Sequence, residues 1–103
     1  MRLRRPRPFL ELVERQLDLF IADRSSLLAE CDAALRAYDD ADADEAEERY
    51  GDYVDRVDAV RDELERVRDA YAATLDEDAR PGYEAAFLAE AQRRFPRYAL
   101  ELE

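Results

Sequence analysis

The sequence predicts an all-α fold: a long antiparallel helical hairpin followed by a shorter C-terminal third helix, packed as a three-helix bundle or, with a second copy, as a dimeric four-helix-type bundle. Three observations lead there. Apolar residues recur every three or four positions through two long stretches, an acid-rich interruption separates the stretches, and only 2 glycines and 4 prolines punctuate 103 residues.

The first stretch opens at Pro8, a residue suited to a first helical turn, with Glu11 and Glu14 near the positive end of the helix dipole. Leu10, Val13, Leu17, Phe20, Leu27, Cys31, Ala34 and Tyr38 then follow a coiled-coil a/d pattern, with Ile21, Leu28 and Leu35 in an adjoining row. This spacing predicts a helix over about 8–38, its apolar row interrupted only by Arg24. From Asp39 to Asp44 four acids replace the pattern, and Asp side chains compete for backbone N–H groups, so a hairpin turn is expected. Asp44 and Glu47 have capping-box spacing.

The second helix, about 44–75, carries the stricter seam: Ala46, Tyr50, Tyr53, Val57, Val60, Leu64, Val67, Tyr71 and Thr74. Folding the first helix back about the turn pairs positions whose numbers sum to roughly 84, so Leu27 meets Val57, Phe20 meets Leu64, Leu17 meets Val67 and Val13 meets Tyr71. Residues 76–80 form a polar connection. Pro81 opens the third helix, about 81–95, which ends because Phe95 precedes Pro96. Residues 8–95 make one bundle domain, flanked by a basic Pro/Arg arm at 1–7 and a tail at 96–103 whose apolar–polar alternation suits an extended piece on the bundle or a frayed end.

Composition narrows the functional classes. Net charge is −11, from 27 acids against 16 arginines, without Lys or His. Such an excess repels polyanions and argues against nucleic acid as a bulk ligand. The acids concentrate between residues 39 and 80, while the arm holds Arg2, Arg4, Arg5 and Arg7. Apolar runs such as Leu19 to Ala22 are far short of a membrane span or a signal-peptide core. Cys31 is the only cysteine, so no internal disulfide forms, and its place in the apolar row suits a buried, reduced thiol in the cytoplasm.

The same inventory removes familiar chemistries. Without His there is no Ser-His or Cys-His pair and no Glu-x-x-His metal motif. Two glycines cannot build a Gly-rich phosphate cradle. No enzyme activity, catalytic residue, cofactor or resident metal is expected; the alternative is a bundle that binds a hard cation or small ligand through Glu30, Glu47, Glu48, Tyr50 and Tyr53. The hairpin size and the Tyr38 to Asp42 spacing resemble the small helical proteins exported by ESX-type systems, but no Trp is present and Tyr38 precedes the turn, so that likeness is set aside.

What remains is interaction. A third helix of about fourteen residues, roughly 21 Å, cannot cover helices of roughly 45 Å, so it is expected over Leu10, Val13, Leu17, Ile21, Val67 and Tyr71. That leaves Leu28, Leu35, Tyr38, Tyr50 and Val54 as the expected interface of a self-associating or partner-binding module. Arg24 is expected to set the hairpin register through Asp58 or Asp62, and the four arm arginines are candidates for docking a partner or larger complex.

Overall fold

A computed structural model of the chain describes residues 8–99, so the arm at 1–7 and the end of the tail lie outside the described residues. Among the described residues five helices follow one another: α1 (Leu10–Asp23), α2 (Ser25–Asp39), α3 (Ala43–Ala72), α4 (Arg80–Arg94) and α5 (Pro96–Ala99). No strand occurs among the described residues. The all-α class is as the periodicity predicts, and the two long apolar stretches and the Pro81 start each produce helix.

The expected first helix over 8–38 is instead two helices, broken at Arg24, whose backbone leaves helical geometry (φ −114°, ψ 25°). Hydrogen bonds still run across the break, from Arg24 N–H to Phe20 O at 2.9 Å and from Leu28 N–H to Arg24 O at 3.0 Å. Arg24 is also where the apolar row lapses, and Ser25 and Ser26 follow it with hydroxyls that compete for backbone groups. The break has a packing consequence. α2 lies along α3, whereas α1 packs mainly on α4, which also touches α3.

Tyr83 of α4 occupies the resulting junction and is fully buried. Its ring lies 5.7 Å from Phe9, 4.8 Å from Tyr71 and 6.0 Å from Phe87, centroid to centroid, and its hydroxyl donates to Gln16 Oε1 at 2.8 Å. One side chain thus joins the start of α1, the end of α3 and α4. Phe9 takes the left-handed region (φ 71°), a costly conformation for a non-glycine residue, and its ring packs on Tyr83. Of the row expected under the third helix, Val13 and Leu17 are fully buried, but Ile21 is 41% exposed, because α1 turns its Val13–Leu17–Phe20 face toward α4 and leaves the next row outside.

Helix ends follow local chemistry. Asp42, extended at ψ 163°, precedes α3, so Asp44 lies inside the first turn beside Glu45 instead of capping it as its spacing suggested. There the two carboxylates face the positive end of the dipole. α3 ends at Ala72, not 75, where the Ala72 carbonyl accepts from Leu75 N–H at 3.0 Å, and Arg80 Nε donates to the Ala72 and Leu75 carbonyls at 3.0 and 3.1 Å, tying the start of α4 to the end of α3.

The tail begins as helix instead of an extended piece. Pro96 starts the single turn α5, which sets Tyr98, 4% exposed, against the hairpin. The Tyr98 hydroxyl hydrogen-bonds the Cys31 thiol, its carbonyl accepts from Arg61 Nε at 3.2 Å, and the Arg97 guanidinium lies 5.2 Å from its ring. Burial is the main cause that pushes the phenol of Tyr98 up to about 12, and burial likewise raises the Cys31 thiol. Cys31 is therefore a poor nucleophile at neutral pH. Truncation of Tyr98 to Ala is expected to cost about 3 kcal/mol and to speed the reaction of Cys31 with an aromatic disulfide reagent, read by thermal unfolding and by thiol titration.

A second buried polar centre ties α4 to α1. Glu90, 7% exposed, accepts from Arg93 and from Arg94 Nε at 3.2 Å, and Arg94 Nη1 reaches Asp18 of α1 at 2.6 Å. The Arg93 hydrogen bond is the largest cause that holds the Glu90 carboxyl below its ordinary range, against desolvation. A depressed carboxyl stabilises the fold above its unfolded pKa, and that contribution is lost as pH falls through the folded value. Glu90→Gln is expected to lose about 1 to 3 kcal/mol near neutral pH. Its melting temperature should then fall less steeply than that of the wild type on acidification below about pH 4.3.

Candidate interaction surface at the hairpin tip

The free end of the α2–α3 hairpin carries most of the expected interface. Tyr38, one residue before the turn, and Tyr50, in the second turn of α3, bring their rings to 5.3 Å at 57°. They are 36% and 52% exposed, whereas Leu35 and Val54 are half-buried. Leu28 departs from the expected patch: it is partly buried and packs against the core. The exposed set therefore narrows to the two tyrosines, with Leu35 and Val54 beside them.

Grooves flank the tip. One of about 290 Å³ is lined by Tyr50, Tyr53, Val54, Val57, Asp58, Arg61 and Arg97. Another of about 370 Å³ lies over the alanines of α2, between Glu30, Ala33, Ala34, Ala37, Arg49, Asp52 and Arg56. Its rim pairs are loose, Arg56 to Glu30 at 3.9 Å and Arg49 to Asp52 at 3.8 Å. A smaller groove of about 210 Å³ follows the helix break, where Leu19, 58% exposed, stands with Gln16, Phe20, Asp23, Arg24 and Val67.

Around the turn the charge is one-sided. Asp39, Asp40, Asp42, Asp44, Glu45, Glu47 and Glu48 are all exposed, and none forms an ion pair among the described residues. Crowded carboxylates of this kind attract cations, yet among the described residues no three of the Asp, Glu or Cys side chains converge as a metal site requires. Glu30 is directed to Arg56, and Glu47 and Glu48 are exposed, so the carboxylate–tyrosine metal constellation is not assembled.

Arg24 does pair with α3, but through Glu63, not Asp58 or Asp62. Its Nη2 and Nε lie 3.2 and 3.4 Å from Glu63 Oε2, while Asp58 accepts from Arg61 at 2.9 Å. The reason is register. Arg24 with Glu63, Glu30 with Arg56 and Tyr38 with Tyr50 are offset from the expected pairing by two to four residues, close to one helical turn. A slip of one turn returns the same face to the partner helix, so the seams stay opposed while the polar partners change. The arm arginines Arg2, Arg4, Arg5 and Arg7 lie outside the described residues.

Periodicity does not single out Tyr83, Glu90 and Tyr98 as organisers of the fold. Comparison with protein-family models, with curated proteins and with solved structures returned no match for this chain. No helix among the described residues is long and apolar enough to cross a membrane.

The Arg24–Glu63 pair is part-exposed, with side chains at 39% and 26%, so solvent screens it. A double-mutant cycle with Arg24→Leu and Glu63→Gln is expected to give a coupling below about 1 kcal/mol in chemical denaturation.

Proposed function

We propose that this chain is a non-enzymatic helical interaction module of the cytoplasm that self-associates through the tip of its α2–α3 hairpin. The observation that carries the reading is the exposed Tyr38–Tyr50 ring pair at an end of the molecule that α4 does not reach. Two phenol rings held against one another in water keep apolar area exposed that a partner surface would bury, and rigid tyrosines lose little conformational entropy on docking. The half-buried Leu35 and Val54 extend that area. Cytoplasmic placement rests on the single buried Cys31, whose thiol state suits a reducing compartment.

A bundle that binds a metal or small ligand is the second class of function. No convergence of ligating side chains favours it, and metal-dependent thermal stabilisation would support it. Docking on a larger complex through the basic arm is the third.

Light scattering over a range of protein concentrations tests the leading reading. The wild type is expected to exceed monomer mass, and a Tyr38→Ser, Tyr50→Ser variant to shift toward monomer with its helical circular dichroism unchanged. Because both residues are exposed, the double substitution leaves the core intact. A variant that associates as strongly as the wild type would remove this surface.

A further inference from the structure

We propose that the hairpin tip receives the arginine arm of a second copy, linking copies head to tail; the proposal rests on the self-association reading and names what occupies the tip. The chemistry of the tip selects its ligand. Guanidinium groups pair with carboxylates and stack on phenol rings, and the tip offers both. Tyr38 and Tyr50 are exposed beside seven exposed carboxylates, from Asp39 to Glu48, that hold no ion-pair partner among the described residues. Glu47 lies one helical turn before Tyr50 and so shares its side of α3.

The chain itself carries a matching segment. Residues 1–7 hold Arg2, Arg4, Arg5 and Arg7 and no acid, in a protein otherwise dominated by carboxylates. Two tips laid face to face would oppose like charges, which disfavours a symmetric tip-to-tip dimer. Tip against arm is the complementary arrangement.

Geometry favours an arm from another copy. The arm is rooted beside Phe9, which packs on Tyr83, and Tyr83 packs on Tyr71 near the end of α3. From Tyr71 back to Ala43 at the start of α3, 28 residues of helix cover about 42 Å. Seven residues span at most about 25 Å even when fully extended. The arm therefore cannot lay its four arginines along the tip of its own chain. A tip and an arm at opposite ends of a molecule 57 Å long form a heterologous contact, which generates rings or open chains.

The test uses sedimentation of the full chain, a chain lacking residues 2–7, and the full chain carrying Tyr38→Ser, Tyr50→Ser and Glu47→Gln, each verified as helical by circular dichroism. The wild type is expected to form species beyond a dimer as concentration rises, and each variant alone to associate at least about tenfold more weakly, as does the wild type in high salt. Mixed together, the two variants are expected to form a 1:1 dimer and nothing larger, since one retains only its tip and the other only its arm. A mixture that stays monomeric overturns the proposal. So does an arm-deleted chain that associates like the wild type, which leaves self-association through the tip standing. A wild type that is monomeric throughout, the result if the arm folds onto Asp76–Asp78 of its own chain, removes both readings.

Discussion

Burial of Tyr83 between α1 and α3 sets the course of the rest of the chain. A tyrosine at zero exposure must satisfy its hydroxyl, and Gln16 does so from α1, while Phe9 and Tyr71 close the ring on two sides. With that side chain in place α1 packs on α4 in preference to running along α3, so the helix that begins at Leu10 has to turn somewhere before it can join the hairpin. It turns at Arg24, where no apolar side chain is lost from the core and the following serines tolerate a departure from helical geometry. The Arg94–Asp18 and Glu90–Arg94 contacts then hold α4 to α1 farther along, and the Phe20–Phe95 ring contact at 5.8 Å closes the sequence of contacts near the break.

Much of this was legible in the residues. The seam from Ala46 to Thr74 alternates threes and fours, which only a helix can present to one side, and Pro81 and the Phe95–Pro96 step mark the limits of α4 to within a residue. Arg24 stands out as the one interruption of the first apolar row, and the structure makes it the junction between two helices. Periodicity describes faces and is silent on axial position, so a displacement of one turn between α2 and α3 leaves every seam residue opposed to another seam residue. That is why Glu63 takes the place of Asp58 or Asp62 beside Arg24. The helical turn after Pro96 was hidden for a different reason: four residues are too few to show a period, and what places them is the long-range fit of Tyr98 onto Cys31 and Arg61. The candidate interface was legible at Tyr38 and Tyr50. It was less so at Leu28, which packs against the core.

Charge is distributed in two regimes. Toward the α1–α4 end some carboxylates meet arginines in defined pairs, beside exposed acids such as Glu11 and Asp76, and one of the paired groups, Glu90, is buried among two guanidinium groups. A buried carboxylate is tolerated there because each of its oxygens accepts from arginine. Toward the turn the carboxylates are exposed and unpaired, so their mutual repulsion is screened by solvent and falls with added salt. The net charge of −11 therefore rests on carboxylates that no arginine neutralises.

The break at Arg24 also divides the molecule mechanically. On one side, α1, α4 and the end of α3 form a three-helix cluster around Tyr83; on the other, the last turns of α2 and the first turns of α3 have only each other. Where two helices have only each other to pack on, local opening is expected to cost less than unfolding the cluster. Amide protons near Ala41 should then exchange with solvent through local opening, at a rate set by that end alone, whereas those beside Leu64 and Phe87 wait for global unfolding. Any ligand that spans α2 and α3 at the turn would draw its first effect from this difference, by suppressing motions that the core never makes.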